Sequence, residues 1–193
     1  MKLSSQWKTL TKAQRRAWSA WARNNRVLLD DGNVRRASGH KAMTMVLRNR
    51  TAAGDAANPS VLPTAATWRD GSLSVTEAGP FTTGAGYVGF RAETNLPAGT
   101  KWFVWATGPV AASEAKPEKL LRFIKCMTLG ALTLGDVVPN LGADYGAVHG
   151  SWDGPGVDGE WPTPTYVWFR VHHYVEGQLS PGVMLRGQIF VEI

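Results

Sequence analysis

The chain has 193 residues, 44% hydrophobic and 19% charged, with a formal net charge of +6. This composition excludes a disordered chain and leaves room for one large domain or two small ones, each able to bury a core. Residues 1–50 hold twelve of the 21 Lys and Arg against two acids, a net of +10, while residues 51–193 hold nine bases against thirteen acids, a net of −4. A basic arm of this kind suits nucleic acid, a membrane surface or the acidic face of a neighbouring copy.

The most tightly specified stretch is Trp7 to Trp21, WKTLTKAQRRAWSAW. Thr11 and Gln14 stand in the S/T-x-x-E/Q relation that caps a helix start, each side chain satisfying a free backbone N–H of the other. Ala13, Ala17, Trp18 and Trp21 then recur at helical spacing, with Lys12, Arg15, Arg16 and Arg23 distributed around the helix. The helix is expected from about Thr11 to about Asn24. Asp30-Asp31-Gly32-Asn33 is turn chemistry. Ser38 caps a second helix running to about Arg50, with Ala42, Met43, Val46 and Leu47 as its apolar stripe.

Residues 51–67 are small, polar and punctuated by Pro59 and Pro63, which disfavour helix. The expected division is a basic two-helix unit over 1–58, a proline-containing linker over 59–67 and a β-domain over 68–193.

In that domain the period shifts to two. Trp68 to Val75 reads as a first strand, and Val88, Phe90 and Ala92 as the inward set of a second. Lys101 to Thr107, apolar on both faces, reads as a central strand. Leu120 to Leu134 holds one or two strands, and the glycine-rich stretch from Asp136 to Trp161 allows a single helical turn at Asp144 to Ala147. Val167, Phe169 and Val171 alternate with Tyr166, Trp168, Arg170 and His172. Val183, Leu185, Ile189, Val191 and Ile193 form the inward set of the last strand, reached through a hairpin connection over 176–182. The expected class is mainly β with a helical N-terminal unit: two short helices, then an antiparallel sandwich of the immunoglobulin or fibronectin-III kind.

Trp7-x-x-Leu10-Thr11-x-x-Gln14-Arg15-x-x-Trp18, followed by Ser38-Gly39 opening a second helix, Asn49 and a proline linker, resembles a family of small bacterial and phage-encoded proteins. In that family a two-helix unit precedes a fibronectin-like β-domain. Its members often carry an aromatic in the second helix, where this chain has Met43 and Met45. The resemblance implies a structural or surface role.

No constellation amounts to an active site. Cys126 is the single cysteine, which excludes an internal disulfide and a multi-cysteine zinc site. His172 and His173 point to opposite faces of a regular strand and cannot share a metal ion. The run Asp153 to Glu160 lacks the alternating oxygen ligands of a calcium loop. There is no G-x-S-x-G elbow, and no G-K-[ST] follows Gly84-Ala85-Gly86. No catalytic residue, metal or cofactor is therefore expected.

The expected function is a non-enzymatic structural subunit of a self-assembling filament or virion-associated layer, packed head-to-tail on other copies of itself and on other structural proteins of the assembly. Its candidate interface is Trp7, Leu10, Arg15, Arg16, Trp18 and Trp21, the tryptophans entering a neighbour's apolar groove and the arginines setting register. One alternative places a carbohydrate or protein ligand on Tyr166, Trp168 and Tyr174. Another is a nucleic-acid-contacting virion protein that uses Arg15, Arg16, Arg23, Arg26, Arg35 and Arg36. The N-terminus lacks the apolar core of a secretory signal and no run reaches the length of a membrane span, so the expectation is cytoplasmic synthesis before entry into a virion or extracellular assembly.

Overall fold

The computed structural model describes residues 3–29, 34–64, 73–78, 88–92, 95, 98–111, 113–114, 116–133, 141–149 and 165–188. In chain order its first elements are α1 (Leu3–Thr9), α2 (Lys12–Asn24), β1 (Val27–Leu28), β2 (Val34–Arg35) and α3 (Gly39–Ala52). There follow β3 (Leu73–Ala78), β4 (Val88–Ala92), β5 (Lys101–Ala106), β6 (Val110–Ala111), β7 (Arg122–Thr128), α4 (Gly142–His149), β8 (Thr165–Val175), β9 (Gln178–Leu179) and β10 (Val183–Gln188). The content is mainly antiparallel β with a few short helices. The chain forms two compact units, residues 1–68 with 172–181 and residues 69–171 with 182–193.

In the first unit, α2 begins as its sequence dictates. The Thr11 hydroxyl accepts from the Gln14 N–H at 3.2 Å, and the Thr11 N–H donates to Gln14 Oε1 at 2.8 Å. Ser38 caps α3 by accepting from the Lys41 N–H. The two helices bury Trp18, Met43, Val46 and Leu47 together with Leu10, and Trp7, Trp21, Ala57 and Leu62 close over this cluster. Each such side chain contributes about 1.5–3 kcal/mol by leaving water. Close approach of the helices needs Gly39, where an added Cβ would lie 2.8 Å from the Ser19 backbone.

Three features of this unit differ from the sequence reading. A third helix, α1, precedes the capped one, and Trp7 on it stacks on His40 with ring centroids 5.3 Å apart. The stretch read as a linker is packed as far as Thr64: the Trp18 indole N–H donates to the Pro59 carbonyl at 2.7 Å, and Gln14 Nε2 donates to Ser60 Oγ. The connection after β8 is itself a tight hairpin, β8 pairing β9 through Tyr174↔Leu179 and Val175↔Gln178.

Its two central residues, Glu176 and Gly177, both have positive φ, 49° and 91°, as a two-residue turn matching the strand twist requires. Glu176 is held in that conformation by Thr64, whose N–H and hydroxyl both donate to its carboxylate at 2.8 Å. Arg50 and Asn49 donate to the Glu176 and Gly177 carbonyls, which ties the turn to α3.

In the second unit, β10, β8, β5 and β7 lie side by side in that order, with β6 beside β8. β8 runs antiparallel to β10 with Phe169 opposite Leu185, and β5 antiparallel to β7 with Trp102 opposite Met127. β3 and β4 form a separate antiparallel pair. Trp102, Val104, Ala106, Met127, Val167, Phe169 and Val171 supply one face of the sheet to a core completed by Phe90, Leu141 and Tyr145.

β4 and β5 fall where the alternation places them; the first strand is Leu73–Ala78, and residues 68–72 of its expected range lie outside the described residues. The expected single turn at Asp144 is a helix of eight residues, α4. Its Tyr145 fills the core and donates its hydroxyl to the Thr107 carbonyl at 2.9 Å. Val183, assigned inward, is 39% exposed, while Leu185 packs on the core. Ile189, Val191 and Ile193 lie outside the described residues, as do Gly84 to Gly86 and the acidic run at 153–160.

Candidate functional surfaces

The first surface is the outer face of α2. Lys12, Arg16 and Arg23, spaced so that they share one side of a helix, are all exposed. By the helical rise the row is about 16 Å long. Between the bases stand the exposed small residues Ala13, Ala17 and Ala20, which leave the surface smooth. Arg15 is held in place, its Nε donating to the Leu10 carbonyl at 3.1 Å and its Nη2 to the Lys8 carbonyl at 3.0 Å.

Among the described residues no carboxylate pairs with Lys12, Arg16 or Arg23. The first turn of α2 contains no acid. Lys12, in that turn, opposes the helix dipole at a cost of about 0.3–1 kcal/mol, whereas Arg23, in the last turn, is favoured by it.

The tryptophans assigned to a neighbour's groove are spent at home. Trp18 is fully buried and Leu10 nearly so in the unit's own core, with Trp7 and Trp21 packed against it. The amphipathic pattern and the cap were legible, but the pattern cannot say whether the covering surface belongs to the same chain. Of the six assembly residues only Arg15 and Arg16 remain on the surface.

The second surface is the sheet face turned away from the core of the second unit. Since Val104, Val167 and Phe169 face the core, alternation sends Trp105, Tyr166 and Trp168 to the other side. Arg186 lies directly opposite Trp168 on β10. Its guanidinium sits 4.6 Å from the Tyr166 ring centroid and 5.6 Å from that of Trp168. On the neighbouring strands Trp105 faces Phe123 with centroids 5.1 Å apart, and both touch Phe103.

Tyr174, grouped with Tyr166 and Trp168 by the sequence, does not belong to a ligand face. It is 5% exposed and donates its hydroxyl to the Asp55 carboxylate in the helical unit. The sequence missed Arg186, Trp105 and Phe123 because only cross-strand register brings them together. Period-two alternation on each strand was the signal available.

Two titrating groups report on packing. Burial lowers the pKa of His149, opposed by its hydrogen bond with the Ala106 carbonyl. The two hydrogen bonds from Thr64 lower that of Glu176. The His172 ring lies 2.7 Å from the Ser180 carbonyl, and the His173 N–H donates to Ser180 Oγ. Among the described residues no three His, Cys, Asp or Glu side chains gather as a metal site. No described helix is long and apolar enough to cross a membrane. Comparison with protein-family models, with curated proteins and with solved structures finds no match.

Proposed function

We propose that this chain is a non-enzymatic structural protein whose helical unit docks on a nucleic-acid backbone through the outer face of α2. The observation that carries the reading is the row Lys12–Arg16–Arg23, exposed, on one side of the helix and unpaired among the described residues. The unit formed by residues 1–68 and 172–181 holds twelve bases against four acids, a net of +8. A polyanion rewards such a surface by releasing its condensed counterions. The contact is to phosphates, which position a protein without reading sequence.

The reading is tested with a labelled duplex of mixed sequence at low salt. The protein binds it, and the double variant Arg16→Glu/Arg23→Glu, which changes only exposed side chains, weakens binding at least tenfold. Equal binding by the variant contradicts the proposal.

A second reading is head-to-tail self-assembly, with an immunoglobulin- or fibronectin-III-like β-unit meeting the helices of the next copy. The opposite signs of the two units favour it. Its weakness is quantitative: the second unit holds nine bases against eleven acids, a net of only −2, and Trp18 is not available as an anchor. Light scattering distinguishes the two, since a chain that stays monomeric at high concentration without nucleic acid excludes self-assembly.

A further inference from the structure

The outward face of the β10–β8–β5–β7 sheet has no part in the duplex contact, and its chemistry is unlike that of α2. It carries a file of π-surfaces across four strands. Arg186 on β10 lies opposite Trp168 on β8. The Thr107 N–H, just beyond the end of β5, donates to the Trp168 carbonyl at 2.9 Å, which brings Trp105 within a diagonal step of Trp168. Trp105 in turn lies opposite Phe123 on β7. Four neighbouring strands place the ends of this file about 14 Å apart.

The file is open to solvent. Phe123 is 38% exposed, Trp168, Tyr166 and Trp105 are half-buried, and Arg186 is exposed. Charge decides among occupants. The segments forming β5, β7, β8 and β10 contain no acid. Of their five bases, alternation sets Lys101, Arg170 and Arg186 on the outward face, while Arg122 and Lys125, opposite Ala106 and Val104, stand on the core side. The whole second unit is nevertheless net acidic, so these strands are cationic against their background. Of the five, Lys125 is engaged with Asp144 at 2.8 Å. Arg186, stacked over Tyr166 and Trp168, is held with its planar fork of donors at the edge of the aromatic file.

We propose that this face binds single-stranded nucleic acid, with unpaired bases stacking on Trp168, Trp105 and Phe123 and a phosphate taken by Arg186. Aromatic rings on successive strands suit bases splayed from a single strand, and a guanidinium at their end suits the backbone between them. A neutral glycan would use the rings and leave the positive charge without purpose. A duplex keeps its bases stacked on one another, so their faces are not free to lie on these rings.

The test is fluorescence anisotropy of a labelled oligothymidylate of about twelve nucleotides, within the usual span of single-strand sites. The full chain binds it at low salt, Arg186→Gln and Phe123→Ala each weaken binding about tenfold, and Trp168→Phe, which keeps a ring, weakens it less than Trp168→Ala. Both Arg186 and Phe123 are exposed, so those two variants leave the fold intact, as an unchanged melting curve confirms. Arg16→Glu/Arg23→Glu weakens duplex binding at least tenfold and leaves oligothymidylate binding in place, which separates this site from the helix face. The proposal is overturned if the wild type does not bind the oligonucleotide. It is equally overturned if Arg186→Gln and Phe123→Ala bind as the wild type does, or if a neutral oligosaccharide displaces the strand.

Discussion

Trp18 is the largest fully buried side chain among the described residues, and its indole N–H is satisfied by the Pro59 carbonyl. Removing the ring opens a cavity between α2 and α3 and strands that carbonyl. Trp18→Ala is expected to cost about 3–5 kcal/mol, read as a shift in the urea midpoint. A substitution cost below about 1 kcal/mol, the range of ordinary surface positions, contradicts burial of this residue within the chain.

Gly39 makes the same point through sterics. A Cβ there meets not only the Ser19 hydroxyl at 2.7 Å but also the Ser19 Cα and N at 2.8 Å. Gly39→Ala should therefore destabilise the helical unit by about 1–3 kcal/mol. Ser19→Ala should not rescue it, because the obstructing atoms include backbone. Recovery of the wild-type melting temperature in the double variant would show that only the hydroxyl obstructs.

At the scale of elements, α2 and α3 were legible because cap, periodicity and apolar stripe agree within each segment. α1 was not. Seven residues form no stable helix alone, and its stability comes from packing of Trp7 on the core and on His40, a tertiary contact. The hairpin β8–β9 was read only as a connection because its positive-φ turn begins with Glu176, a residue that reaches that conformation with Thr64 bound to its carboxylate. Tyr166 and Trp168 were found by alternation, whereas Arg186 and Phe123 needed register. Arg15 and Arg16 were found by their charge, and their exposure follows from the apolar stripe on the other side of the helix.

α4 makes a pH prediction. His149 stacks on Tyr145 with centroids 4.7 Å apart, and burial lowers its pKa below the ordinary 6.5. A histidine with a lowered folded-state pKa stays neutral in the native protein while the unfolded chain takes up a proton. Its contribution is therefore complete above about pH 6.5 and declines as pH falls from there to the folded-state pKa. The melting temperature is expected to fall between about pH 7 and pH 5, and His149→Gln should flatten that dependence over the same interval. Unchanged pH dependence in the variant contradicts the packing assigned to His149.

For the whole molecule, charge is sorted by unit. The +10 and −4 halves of the sequence become +8 and −2 when residues are grouped by the units they form, since Asp55 and Glu176 join the helices. That regrouping weakens an acidic body as the natural partner of the basic helices and leaves a polyanion as the better match. It also explains why the tryptophans misdirected the sequence reading. An aromatic-rich basic helix suits an interface, but here the aromatic side faces inward and only the basic side faces out.

The salt dependence of duplex binding tests this account most directly. Three phosphate contacts, from Lys12, Arg16 and Arg23, give a slope of log K against log salt concentration of about −2.7. The Arg16→Glu/Arg23→Glu variant should show a slope closer to zero as well as weaker binding. A wild-type affinity that does not change between low and high salt, or a variant with the wild-type slope, would contradict docking of the outer face of α2 on a nucleic-acid backbone.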